Sequence, residues 1–251
     1  MTRRSCLRYQ ISDKSEEKKV QPFRKQNQFT SRIWPEITMV KKDDHLLFEF
    51  PRRLAAFSSA VHGGGFQQVS HFVNWQVPLD YASNDPILLM KQKIIEWEYP
   101  LEQTAGLQTA AKIHCASIHE EYGDEFRIVC CVTAGVGNRE RAGRKRKSYS
   151  AYQCGTINTF LFIDGRLTEA AMINGIITAT EAKAAALQDL QIKLESGEFA
   201  TGTTTDSVVL AASQADYLPT HLFAGTATTI GNTIGCLVYE ATCEAVRNQE
   251  G

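Results

Sequence analysis

The stretch ATGTTTDSVVLAA, residues 200–212, runs four threonines, a glycine and a lone aspartate straight into an apolar, strand-like segment. Hydroxyls donate and accept hydrogen bonds, whereas a carboxylate only accepts. Gly202 permits a tight turn. Asp206 enters the first residues of a strand, where a bare carboxylate is disfavoured unless it is paired or hydrogen-bonded. Such a cluster could orient a nucleophile or activate a water through Asp206. The plainer reading is a turn carboxylate that holds neighbouring N–H groups.

A second group of candidates lies on a long helical pattern capped by Thr168 and running to about Leu190. At about 100° per residue, Ile176, Ala179, Leu187 and Leu190 fall near Met172 and form an apolar stripe, with Lys183 in its middle. A lysine there either snorkels to water or sits in a low-dielectric site, where it could act as a base. Glu181 falls on the other side, near Ile173 and Ile177. The helix is therefore expected to be covered on both faces, and Glu181 to need a polar partner or to activate a water.

Metal chemistry finds no support in the spacing. His114 and His119 flank Cys115 at a separation that shares no face of a strand or a helix, and Cys130 and Cys131 diverge. GTATTIGNTIG (225–235) lacks the lysine of a phosphate-binding loop and does not follow the dinucleotide pattern. The basic run from Arg139 to Lys147 reads as a solvated loop rather than an anion site.

The elements that must position these residues are legible in outline. HLLFEF (45–50), FRIVCCVTAGV (126–136), TINTFLFID (156–164) and SVVLAAS (207–213) read as strands. NDPILLMKQKIIEW reads as a helix capped by Asp85 with Pro86 in its first turn, and residues 230–246 as a final helix. Mixed hairpin-like and helix-crossed strands imply an α+β fold with sheets and helices in layers, as a single domain over residues 34–251. Residues 1–33 are polar and aperiodic, and are expected to form a mobile extension. The 200–206 loop is expected to fold against the start of TINTF and the C-terminal part of the long helix.

The 251 residues carry a formal charge of -1, which argues against a polyanion binder such as a nucleic-acid protein. No apolar run has the length of a membrane span, and no apolar segment follows Arg3 and Arg4 as a secretory signal would require. Seven irregularly spaced cysteines suit reduced thiols in a cytoplasmic protein. Oligomeric state is not fixed by the sequence.

Eight stretches together resemble the adenosylcobinamide amidohydrolase family of corrinoid salvage. They are SSAVHGGG (58–65), VNWQV (73–77), GLQTAA (106–111), VTAGVGNRERAG (132–143), GTIN (155–158), TATEAKAAAL (178–187), ATGTTTDS (200–207) and AGTATTIGNTIG (224–235), in the family's order. The resemblance implies hydrolysis of the amide joining the aminopropanol arm to the corrin ring, giving adenosylcobyric acid and 1-amino-2-propanol. The corrinoid would be substrate, with no further cofactor. It also points to His62, Gly64, Asn74, Asn138, Asn158, Thr203 and Thr204, which lie in these stretches, as substrate contacts.

A fainter resemblance covers GTINTFLFIDGRLTEAAMINGII and ATGTTTDSVVLA. They are similar to the strand–helix–strand of the aminopeptidase/ornithine acetyltransferase families. There a Ser or Thr after glycine, freed by self-cleavage, is the nucleophile of a four-layer αββα sandwich. Thr156 occupies that place. Two mechanisms follow: attack by Thr156, with Asn158 or backbone N–H groups on the oxyanion, or activation of a water by Glu181 or Asp206. A non-catalytic corrinoid-binding or carrier module is the alternative function.

Overall fold

The computed structural model describes residues 21–78, 85–123, 125–145 and 155–249. Its strands and helices run β1 (Gln28–Thr30), β2 (Thr38–Lys41), β3 (His45–Ser58), β4 (Gly65–Gln76), α1 (Pro86–Glu96), β5 (Thr104–Thr109), β6 (Ser117–Tyr122), β7 (Arg127–Ala134), β8 (Arg139–Glu140), β9 (Ile157–Asp164), β10 (Arg166–Leu167), α2 (Glu169–Asp189), β11 (Gly202–Thr203), β12 (Ser207–Ala212), β13 (Thr220–His221) and α3 (Thr229–Gln249).

Nine strands make one sheet in the order β1-β2-β3-β12-β9-β7-β6, with β4 beside β3 and β5 beside β4. The sheet turns a corner along β3. Its first half pairs with β2 and its second half with β12, and the register against β4 shifts between Glu49 and Leu54. Side chains alternate across each strand, so three separate cores result. On β9, Ile157, Leu161 and Ile163 pack toward α2 and α3, while Phe160 and Phe162 turn inward to meet Phe48 and Phe72 of the other half-sheet. On β3 and β4, Leu47, Val73 and Trp75 face outward onto Met90 and Ile94 of α1. The order of layers is helix, sheet, sheet, helix. Burying each inner phenylalanine contributes about 2 kcal/mol, which is why one slipped register on β9 would be costly.

The paired cysteines show the alternation directly, since Cys130 joins the core under α2 and α3 and Cys131 the core between the sheets. Local signals set the helices. Thr168 caps α2 by accepting from Ala171 N at 3.1 Å, and Asp85 caps α1 by accepting from Leu88 N at 2.9 Å.

Two expectations need correction. Residues 21–33 are packed rather than a free extension. Phe23 is 2% exposed, Gln21 donates to Cys115 O, and β1 extends the sheet beside β2. Polar composition hid an edge strand and one anchoring aromatic. Residues 1–20 lie outside the described residues. The long helix α2, moreover, is covered on one face only, because Ile173 and Ile177 are half exposed.

Candidate active site

The strand β9 begins between two polar clusters, one on each face. On the helix side, the Lys183 ammonium pairs with Asp206 Oδ2. The same carboxylate accepts from Ile157 N (3.0 Å), Thr203 N (3.1 Å) and Thr203 Oγ1 (2.5 Å). Four donors fill the capacity of one carboxylate. Gly202 is required here, since a Cβ would collide with both Asp206 and Lys183. The loop thus ties the start of β9 to the C-terminal half of α2. Asp206 touches the backbone next to Thr156 and not its hydroxyl, so its reading as the group that activates the nucleophile or a water gives way to one of holding the strand.

On the inter-sheet side, Thr156 is 3% exposed. Its hydroxyl lies 3.0 Å from Asn158 Oδ1 and 2.9 Å from Thr205 O. Asn158 Nδ2 donates to Asn74 Oδ1 (2.8 Å) and to Gln108 O (2.9 Å), and Asn74 Nδ2 donates to Thr133 Oγ1 (2.8 Å). Asn74 and Asn158 are both fully buried. Their amide groups are occupied inside the protein, which corrects their expected roles as substrate contacts and, for Asn158, as an oxyanion donor.

A third set surrounds the residue before Thr156. Gly155 has φ 154°, a region that favours glycine. Its carbonyl accepts from Thr205 Oγ1 at 2.9 Å. Asn138 Nδ2 donates to Thr204 Oγ1 at 2.7 Å, whereas Asn138 Oδ1 is buried without a hydrogen-bond partner among the described residues. A Cβ on Gly155 would come 2.5 Å from that oxygen. The orphaned acceptor therefore lies against the Gly155 Cα.

Other expected residues lie apart. Glu181 is exposed on α2, on the face away from Lys183, and water activation by it next to Thr156 is thereby corrected. The apolar neighbours that suggested a buried setting are themselves exposed. His62 and Gly64 sit in the β3–β4 connection, where His62 bonds to Leu101 O at 3.0 Å and bridges Gly106. Two open clefts of about 440 and 580 Å³ lie elsewhere, one containing Asp164 and the other His221 and Phe223. Asp164 ends β9, about 26 Å from Thr156 by strand rise. Among the described residues no group of three or more His, Cys, Asp or Glu is placed to hold a metal ion. Part of the basic loop is anchored: Arg139 donates to Lys193 O and Arg141 to Phe199 O; residues 146–154 lie outside the described ones.

Thr133, Gln108 and Thr205 went unnoticed in the sequence. Thr205 adjoins the residues singled out there, and Gln108 and Thr133 lie in the matching stretches, so only their chemistry was unread.

Residues 31–251 match the family described as adenosylcobinamide amidohydrolase. The chain is 32% identical over 160 residues to the adenosylcobinamide amidohydrolase of Methanosarcina mazei, covering 62% of this chain and 68% of that protein. It is 29% identical over 241 residues to an uncharacterised protein of Methanocaldococcus jannaschii, covering 84% and 89%. A solved structure of a protein from Pyrococcus horikoshii OT3 aligns with a TM-score of 0.41 at 8% identity, over 84% of this chain and 78% of that one, a likeness too slight to carry an argument.

Proposed function

Because the chain belongs to the adenosylcobinamide amidohydrolase family, and is thus a hydrolase of an amide bond, we propose that Thr156 attacks the amide between the aminopropanol arm and the corrin ring of adenosylcobinamide. The products are adenosylcobyric acid, which can re-enter cobalamin synthesis, and 1-amino-2-propanol. The carrier alternative gives way to the family match. The corrinoid is the substrate, and the reading calls for no cofactor beyond it.

The observation that carries the assignment is the setting of the Thr156 hydroxyl, which ends a buried chain of side-chain amides and faces only acceptors. A threonine nucleophile needs a group to take its proton. An amide oxygen and a peptide carbonyl are too weakly basic for that. Asp206 and Lys183 are engaged with each other and with the β9 backbone. The remaining base is the α-amine of Thr156 itself, which hydrolysis of the Gly155–Thr156 bond would free, as in the families of the fainter resemblance. In that step Thr156 Oγ1 adds to the Gly155 carbonyl, the C–N bond breaks, and the hydroxyl proton passes to the departing Thr156 nitrogen. An ester forms, and water hydrolyses it to a Gly155 carboxylate and a free Thr156 amine. Parting the chain there would also open a route to a hydroxyl that is 3% exposed in the intact chain.

The substrate acyl group would then take the place of the Gly155 acyl group. Thr205 Oγ1, which donates to the Gly155 carbonyl, would donate to the substrate carbonyl as charge develops on its oxygen. Asn138 Oδ1, buried and unpartnered, would accept from the N–H of the scissile amide, with Thr203 and Thr204 flanking it. The free state of the five described cysteines fits a reducing, cytoplasmic setting, and among the described residues no helix is long and apolar enough to cross a membrane.

The test is incubation of the full chain with adenosylcobinamide, following 1-amino-2-propanol and measuring the protein's intact mass. Release of the amine with a break between Gly155 and Thr156 supports the reading. A fully active chain of unbroken mass would remove the α-amine as base, and binding without amine release would restore the carrier alternative.

A further inference from the structure

We infer that Thr133, Asn74 and Asn158 form a positioning relay, with Asn74 reaching in from the opposite half-sheet, that fixes the direction of the Thr156 O–H bond. The inference rests on the proposed role of Thr156 and adds residues that do not touch substrate.

The direction of each hydrogen bond can be derived. A side-chain amide can be turned end for end, so the orientation needs an anchor. Gln108 O is a backbone carbonyl and can only accept. The Asn158 atom 2.9 Å from it must therefore be the nitrogen. That leaves the Asn158 oxygen toward Thr156 Oγ1 and its second N–H toward Asn74. The Asn74 atom receiving that N–H must be oxygen, so the Asn74 nitrogen faces Thr133 Oγ1, which accepts. One backbone carbonyl thus sets the sense of the chain, and Thr133, by accepting from Asn74, holds Asn74 where it accepts from Asn158. At its end the Thr156 hydroxyl of the intact chain meets two acceptors, Asn158 Oδ1 and Thr205 O, and must point its single proton at them until a freed α-amine is there to take it. Its lone pairs are left to face away, toward whatever carbonyl arrives.

The relay crosses between the two half-sheets, since Asn74 lies on β4 while Thr133 and Asn158 face each other on the adjacent strands β7 and β9. All three are at most 1% exposed. Buried side-chain amides in an apolar seam are costly unless every group is satisfied. Valine or leucine would fill the same volume at Asn74 and Asn158 at less risk. Their presence is accounted for by the hydroxyl at the end of the chain.

The experiment compares Thr133→Val, isosteric with the hydroxyl removed, against Thr133→Ser, which restores it. Steady-state kinetics on adenosylcobinamide are measured for both, with melting temperature as the fold control. Thr133→Val is expected to lower kcat roughly 10-fold or more at little-changed KM, since misplacement of a reacting group costs up to about 10²-fold, and Thr133→Ser to recover most of it. A folded Thr133→Val protein with parental kcat overturns the relay, as does a serine variant no better than valine. Thr133→Ala, which adds no bulk, carries the same test should the valine protein not fold. Thr156→Val is assayed alongside. Loss of turnover there with parental kcat in Thr133→Val sinks the relay alone, whereas parental kcat in both sinks the nucleophile as well.

Discussion

The two faces of β9 hold their polar groups in different ways. On the helix face, Asp206 and Lys183 form a largely buried charged pair, with side chains 13% and 9% exposed, and every acceptor site of the carboxylate is taken. On the inner face, the cluster is neutral, buried, and ends on a hydroxyl that no donor among the described residues reaches. A saturated charge is a clasp, because its free energy lies in contacts already made. An open-ended neutral relay has reactivity left over. The more conspicuous cluster in the sequence is the clasp, and the quieter one is where we propose the chemistry to lie.

Variants that break one face and spare the other sharpen this contrast. The largest effect is expected from Asn158→Ala. It strands Asn74 Oδ1 without its donor, costing roughly 1–3 kcal/mol. It also frees Thr156, and turnover should fall about 10²-fold in the protein that remains folded. Urea titration read beside kinetics separates the two, and an unchanged kcat would show that the inner face is only structural.

Lys183→Met removes the counter-charge of Asp206 while keeping most of the volume. Loss of one partner of a buried pair destabilises by about 3 kcal/mol. The expected pattern is a lowered denaturation midpoint with kcat within a few-fold of the parent. A stable protein without turnover would move Lys183 into the chemistry. Asp206→Asn should cost about as much, because it leaves the Lys183 ammonium without its counter-charge and turns an amide N–H toward groups that can only donate. If that variant folds normally and its turnover vanishes with KM unchanged, the clasp interpretation fails. The smallest effect belongs to Glu181→Gln, since its side chain lies on the exposed face of α2. Both stability and turnover should stay at parental values, and a loss of activity would reinstate it as a water-activating group.

What the sequence discloses follows the same division. The clasp is legible because Gly202, Thr203 and Asp206 are neighbours in the chain and Lys183 stands in an otherwise apolar stripe. The relay is not. Asn74 and Asn158 are 84 positions apart, and Asn74 and Thr133 are 59 apart. Each is a polar residue in a strand, and only the fold tells whether it faces water or another polar residue. β4 itself escapes notice because Gln67, Gln68, Ser70 and His71 break its apolar pattern, although β3 and β5 pair with it on either side. Glu181 misleads for the converse reason: α2 carries two apolar stripes, and only the one through Met172, Ala179, Lys183 and Leu187 is buried. Composition cannot say which stripe the sheet covers.

The central claim is that the Thr156 hydroxyl cuts the amide. Its most direct test is the rate of 1-amino-2-propanol release from adenosylcobinamide by Thr156→Val, which keeps the shape of the side chain and removes the oxygen. The account predicts a folded protein whose turnover is lower by roughly 10³-fold or more, as for loss of a nucleophile elsewhere. Release of the amine at the parental rate from that folded variant would contradict it.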